Sequence, residues 1–140
     1  MNEVLRQERK FLISLSQRTR FEGQLDALLH QDQHNTDLLQ GGYRVRSLYF
    51  DTLNDRDFYA KIDGVEQRRK LRLRIYHPED ETAFLEMKQK QGANQLKRSL
   101  PVSREDAEQL IQGNYKPLLH YREDFAAECY AILNREHYRP

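Results

Sequence analysis

Arg72-Leu73-Arg74 lies within Lys70-Leu71-Arg72-Leu73-Arg74-Ile75-Tyr76, a run that sets a cation at every second residue and leucine or isoleucine between them. Side chains of a strand alternate faces with period two, so the run predicts a strand with one apolar and one basic face. Phe84-Leu85-Glu86-Met87-Lys88-Gln89-Lys90 repeats the design, with Glu86, Lys88 and Lys90 opposite Leu85 and Met87. Further on, Leu96, Arg98 and Leu100 share one parity, which leaves Lys97 and Ser99 on the other. Near the start, Glu8 and Lys10 alternate against Phe11, Ile13 and Leu15. Lys10, Arg72, Arg74, Lys88 and Lys97, five cations on four expected strands, therefore fall on polar faces, together with Glu8 and Glu86. A solvated sheet face is the simplest account of any one of them, but such faces mix Thr, Ser, Gln and both charge signs. Cations facing the same way on adjacent strands repel unless an anion sits among them. Arginine pairs suit forked hydrogen bonding to phosphate oxygens, so the chemistry implied is the gripping of a polyanion.

The whole-chain charge does not explain this clustering. Formal net charge over the 140 residues is only +1, which excludes a globally basic nucleic-acid or membrane-surface protein. Residues 61–100 carry ten Lys/Arg against six Asp/Glu, whereas residues 101–140 carry five against seven. The positive charge is placed, as at a site. Cys129 is the single cysteine, so no intrachain disulfide can form and a reducing, cytoplasmic compartment is expected. The opening residues lack the apolar core of a signal peptide, and no run reaches the ~20 apolar residues of a membrane helix.

The elements that must position these residues can be read along the chain. Val4 to Leu15 is expected as a strand, followed by a helix capped by Ser16 and running to about His30. A polar loop over residues 31–42 leads to a strand from Tyr43 to Asp51, and a short helix is expected from Asp55 to Ile62. Strands over 68–77 and 83–91 are joined by the His77-Pro78-Glu79-Asp80-Glu81 turn, and a fifth strand is expected over Gln95–Leu100. Ser103 should cap a helix through Ile111, and Tyr121–Arg135 reads as another, with Phe125, Cys129 and Leu133 on one stripe. The predicted fold is α+β: a mostly antiparallel, curved sheet with helices packed on its apolar face, in a single domain over residues 1–140.

Gln7-Glu8-Arg9-Lys10-Phe11, Ser47-Leu48-Tyr49-Phe50-Asp51-Thr52, Lys70 to Tyr76, Phe84-Leu85-Glu86-Met87-Lys88 and Lys97-Arg98 resemble, in order, the successive motifs of the VTC domain. That family is the polyphosphate-polymerase branch of the triphosphate tunnel metalloenzymes, related to the CYTH domains. The resemblance implies an antiparallel tunnel whose basic interior holds a triphosphate, ATP or a growing polyphosphate chain. It implies phosphate-binding roles for Lys10, Arg72, Arg74, Lys88 and Lys97, with Lys10, Arg72 and Arg74 closest to the chemistry. A divalent metal, Mn or Mg, is implied as well, with Glu8 and Glu86 its candidates here. Arg6 stands where CYTH proteins carry the first Glu of Glu-x-Glu-x-Lys. The motifs cover the first half to two-thirds of the family domain, so the expectation is a chain truncated at its C-terminus, with a tunnel open on one side and little turnover alone. A phosphotransferase making polyphosphate is the implied activity; a non-catalytic polyphosphate sensor or remnant and an inorganic triphosphatase are the alternatives. Open sheet edges would also admit pairing between copies.

Other signals carry less. His30 and His34 have the i, i+4 spacing of a metal pair but no evident third ligand. Asp51, Asp55, Asp57 and Asp63 lack the glycine of a calcium loop and suit turn and cap duty. Cys129 lies on an apolar stripe, as a structural thiol does, and Gly41-Gly42 matches no phosphate-binding glycine motif. Tyr43, Tyr49 and Tyr76 near arginines would stack on bases, but nucleic acid is the weaker reading beside phosphate gripping.

Overall fold

In the computed structural model, residues 1–30 and 43–140 are described, and they form two compact units: Met1–Glu8 with Val45–Pro140, and Arg9–Arg44. The larger unit is built on five antiparallel strands, β1 (Asn2–Gln7), β2 (Arg46–Phe50), β3 (Arg68–Ile75), β4 (Thr82–Gln91) and β5 (Asn94–Ser103). They lie in the order β1-β5-β4-β3-β2, an open sheet with β1 and β2 at its edges. The smaller unit carries α1 (Leu15–Asp26). Helices α2 (Arg56–Ile62), α3 (Arg104–Ile111) and α4 (Asp124–Arg135), with a short 3-10 helix at Lys116–His120, belong to the larger unit. The expected α+β class, with its antiparallel sheet, is what the chain adopts.

Alternation along the strands builds the core. Leu71 and Leu73 of β3, Leu85 and Met87 of β4, and Leu100 and Val102 of β5 are buried on one face with Leu110, Leu118, Phe125, Cys129 and Leu133. Each such side chain contributes roughly 1.5–3 kcal/mol on burial. Cys129 is fully buried, and burial pushes its thiol pKa far up, so it is the inert structural cysteine that its stripe suggested. Ser103 caps α3 by accepting from the Asp106 N–H, as expected. The two-residue turn between β4 and β5 needs Gly92, whose φ of +57° favours glycine.

Several boundaries differ from expectation, each for a physical reason. The first strand stops at Gln7 rather than Leu15, because its last partner is Asn94, where β5 begins after the Gly92 turn. Lys10 is thus not a strand residue and falls in the smaller unit. Strand β2 begins at Arg46, opposite Ile75, where β3 gives way to the turn held by Asp80; its carboxylate accepts from the Tyr76 and His77 N–H groups. Ser14, not Ser16, caps α1, since Gln17 completes a capping box with Ser14, and that helix ends at Asp26. His34 and Gly41-Gly42 lie outside the described residues, and among those described no helix is long and apolar enough to cross a membrane.

Arg98 shows that the strand register was legible. It points to the helix side, where Nη1 and Nη2 donate to the Glu128 carboxylate at 2.5 and 2.7 Å and the guanidinium lies 4.8 Å from the Phe125 ring centroid. Losing one partner of a buried pair costs 3–5 kcal/mol, and Glu128 still reaches solvent. Arg98→Ala should therefore cost about 2 kcal/mol, read as a lower urea midpoint with an unchanged slope.

Candidate functional site

The opposite face of the sheet gathers the cations. Register places Lys70 across from Lys88, and Lys88 across from Lys97, so three lysines form a row over β3, β4 and β5. The next row holds Tyr49, Arg72, Glu86 and Ser99, and the one after it Ser47, Arg74, Phe84 and Pro101. Like charges directly opposite on a sheet are destabilising, so this face requires counter-charge.

Glu86 supplies it. Its residue is only 3 % exposed. Oε2 accepts from Arg72 Nε at 2.8 Å and lies 3.9 Å from Arg74 Nε, while Oε1 lies 2.6 Å from Lys97 Nζ. Burial alone would raise the Glu86 carboxyl, but the hydrogen bonds from Lys97 and Arg72 outweigh it and hold the pKa below the usual range. Glu8 provides a second carboxylate, 2.5 Å from Lys88 Nζ. Arg74 Nε also donates to Ser47 Oγ at 3.2 Å.

Tyr49 belongs to this face as well, and its role was not read from the sequence. Its hydroxyl accepts from Arg72 Nη1 at 3.0 Å, and its ring lies 5.7 Å from Lys70 Nζ and 5.8 Å from the Arg72 guanidinium carbon. Burial would raise its hydroxyl, yet the Arg72 hydrogen bond and the charges of Arg72, Lys70 and Arg74 hold it below the ordinary value. Parity with Arg72 was the available signal for Lys70, whereas Tyr49 was read only as a tyrosine near arginines, not as a partner of Arg72 and Lys70.

The structure thus brings Arg72, Arg74, Lys88, Lys97, Glu86 and Glu8 to one face and leaves Lys10 in the other unit. For a divalent metal, the two candidate carboxylates are already engaged: both Glu86 oxygens face cations, and Glu8 faces Lys88. Among the described residues no three of His, Cys, Asp and Glu cluster as a metal site. As arranged, these carboxylates do not fit a metal without releasing their cations.

The aspartate cluster divides its duties. Asp51 caps α2 from a distance, accepting from the Asp57 and Phe58 N–H groups at 2.9 and 2.8 Å, and from Thr52 at 2.7 Å. Asp57, by contrast, is buried and accepts from the Tyr138 hydroxyl at 2.5 Å. Arg56 and Arg69 donate to that same hydroxyl, at 2.6 and 3.1 Å, and both reach Glu136. Burial and the bond to Asp57 push the Tyr138 hydroxyl up to about 12, so it stays a donor across the physiological range.

A depressed carboxyl stabilises the fold above the unfolded pKa, about 4.3, and that stability is lost as pH falls toward the lower folded value. Glu86→Gln should cost about 2 kcal/mol at pH 7, less than a fully buried pair because its cations reach solvent. The urea midpoint should also fall less in the variant than in the parent between pH 5 and pH 3. Parallel pH curves would show that Glu86 carries no net stabilising charge.

A family model described as the VTC domain matches residues 5–140, nearly the whole chain. No curated protein matches it. The chain belongs to the VTC domain family.

Proposed function

We propose that the polar face of this VTC domain binds inorganic polyphosphate or a nucleoside triphosphate through Arg72, Arg74, Lys88 and Lys97. The observation that carries this is the charge count on one face: Lys70, Arg72, Arg74, Lys88 and Lys97 are met there by the carboxylates of Glu86 and Glu8. The surplus is positive and ordered in advance, so a row of phosphates meets cations already held in place. Lys10 is assigned the same role by its motif. The family is associated with polyphosphate synthesis. Phosphoryl transfer asks a protein mainly for positioning and charge neutralisation, which this face would supply. A divalent ion, Mn or Mg, would enter on the ligand's own phosphate oxygens, the usual way for magnesium, and we route no step through it.

The rows lie on an open sheet, and turnover asks for a closed, dry cage in which the transferring group is aligned. Binding without turnover, a polyphosphate sensor, is the second reading this openness favours. Copies of the chain would associate at the β1 and β2 edges, where strand pairing ends.

Arg72→Ala with Arg74→Ala should weaken polyphosphate binding at least tenfold by calorimetry, since each charge-assisted contact contributes roughly 1.5–3 kcal/mol. Arg98→Ala, on the other face, should stay within twofold of the parent at a temperature where both are folded. Equal affinities for parent and double variant would remove the site from this face. With ATP and manganese, the 140-residue chain as a monomer should give no chain growth on a polyphosphate gel, and robust growth would remove the sensor reading.

A further inference from the structure

Strand β1 is an edge, and its free side can be assigned residue by residue. Asp51 and Arg139 exchange two backbone hydrogen bonds outside β2, so Tyr49 and Ser47 turn their N–H and C=O groups the same way. Carrying that alternation across the antiparallel register gives Asn2, Val4 and Arg6 the bonds to β5. The N–H and C=O groups of Glu3, Leu5 and Gln7 therefore face outward, and among the described residues no strand pairs with them. The edge has neither a bulge nor a proline to blunt it, and Leu5 is 70 % exposed. At the opposite edge, Arg139 already takes the place beside Asp51.

A second copy fits the β1 edge in one register. A two-fold axis through Leu5 sets it against the partner's Leu5 and Glu3 against the partner's Gln7, so that each pair exchanges both backbone bonds. Centring the axis on Glu3 or Arg6 would oppose like charges, and centring it on Val4 would set Leu5 against a carboxylate. On the polar face, the Leu5 register brings Val4 beside the partner's Arg6. In each copy Arg6, Gln95, Lys90 and Arg68 form a row next to the lysine row, and its three cations make no ion pair with a described residue. The lysine row of one copy thus runs through Val4 into this second row of the other.

We propose that long polyphosphate draws two copies of this chain together across β1, with the partner's Arg6 extending the lysine row. A lone pairing of two strands is marginal in water, and the facing cations oppose it, so the free chain is a monomer. A polyanion lying on both rows removes the repulsion and makes the second encounter intramolecular. Lys88 to the partner's Lys90 crosses five strand spacings, about 24 Å, beyond the reach of tripolyphosphate. The inference rests on the phosphate-binding reading above and adds to it an assembly that depends on the length of the polyphosphate.

Sedimentation velocity of the full chain at physiological salt reads the assembly. The parent should be a monomer alone and with tripolyphosphate, and a dimer with polyphosphate long enough to span both rows. Leu5→Pro removes an outward N–H and leaves the ladder to β5 intact. It should stay monomeric with the long polyphosphate while binding tripolyphosphate within twofold of the parent by calorimetry, which also reports a folded face. Leu5→Cys should form an intermolecular disulfide under oxidation with the long polyphosphate, since opposed hydrogen-bonded residues lie about 5.5 Å apart between Cα atoms. Val4→Cys, diagonal to its copy at about 7–8 Å, should not, and the buried Cys129 does not compete. A Leu5→Pro chain that still dimerises, or a Val4→Cys chain that crosslinks as readily as Leu5→Cys, would show monomers merely strung on a polyanion and overturn the proposal. So would a parent that is dimeric without polyanion, or one that binds tripolyphosphate yet stays monomeric on the long polyphosphate. A parent that binds neither ligand would overturn the phosphate-binding reading and this inference with it.

Discussion

Glu86 sits on the central strand β4, where one carboxylate reaches three cations from the two strands on either side. Arg72 is its direct cross-strand neighbour, while Arg74 and Lys97 are its diagonal neighbours on either side. Long side chains span the diagonal distance of about 7–8 Å, and all three converge on its two oxygens. The arrangement exists in one register only. Slipping β4 by one residue would turn Glu86 into the leucine core and bring Leu85 out among the cations. Charge and hydrophobicity therefore specify the same pairing, and the face could not gather these cations without that carboxylate.

The same carboxylate leaves the face unfinished. One anion with both oxygens occupied fixes Arg72 and Lys97 in place, but it cannot neutralise the row behind them. Lys88 leans on Glu8 from the end of β1, and Lys70 reaches the end of β2 without a carboxylate of its own. Cations that are ordered before a ligand arrives give up less side-chain entropy when it binds.

Much of this was legible in the chain because period-two alternation is a local property. The opposite directions of Lys97 and Arg98, the apolar stripe of Phe125, Cys129 and Leu133, and the cap at Ser103 all follow from neighbours in sequence. What was not legible depends on distant partners. The first strand ends at Gln7 because β5 begins opposite it, a fact held some 87 residues away. Tyr49 enters the site through contacts to Arg72 and Lys70 of β3 that no local pattern states. The cap of α1 was readable in principle: Ser14 has Gln17 three residues on, whereas Ser16 has Thr19, and only the former completes a capping box. Asp57 looked like one more turn aspartate, and its burial depends on Tyr138, 81 residues later.

That distant pairing bears on the site through β3. Arg69 lies between Arg68 and Lys70 and turns to the helix side, where it meets the Tyr138 hydroxyl and Glu136. Arg56 brings α2 to the same two groups, and the Tyr115 hydroxyl donates to the Tyr138 carbonyl at 2.6 Å. Asp51 and Arg139 then exchange two backbone hydrogen bonds, at 2.9 and 2.7 Å. On the back of the sheet, a buried aspartate and a tyrosine that remains protonated thus anchor the first residues of β3. On the front, Glu86 anchors the middle of the same strand. Lys70 projects from the segment between these two anchors, so its ammonium is placed by both networks while belonging to neither. A cation held by its backbone and left without a carboxylate is ready for a ligand that brings its own negative charge.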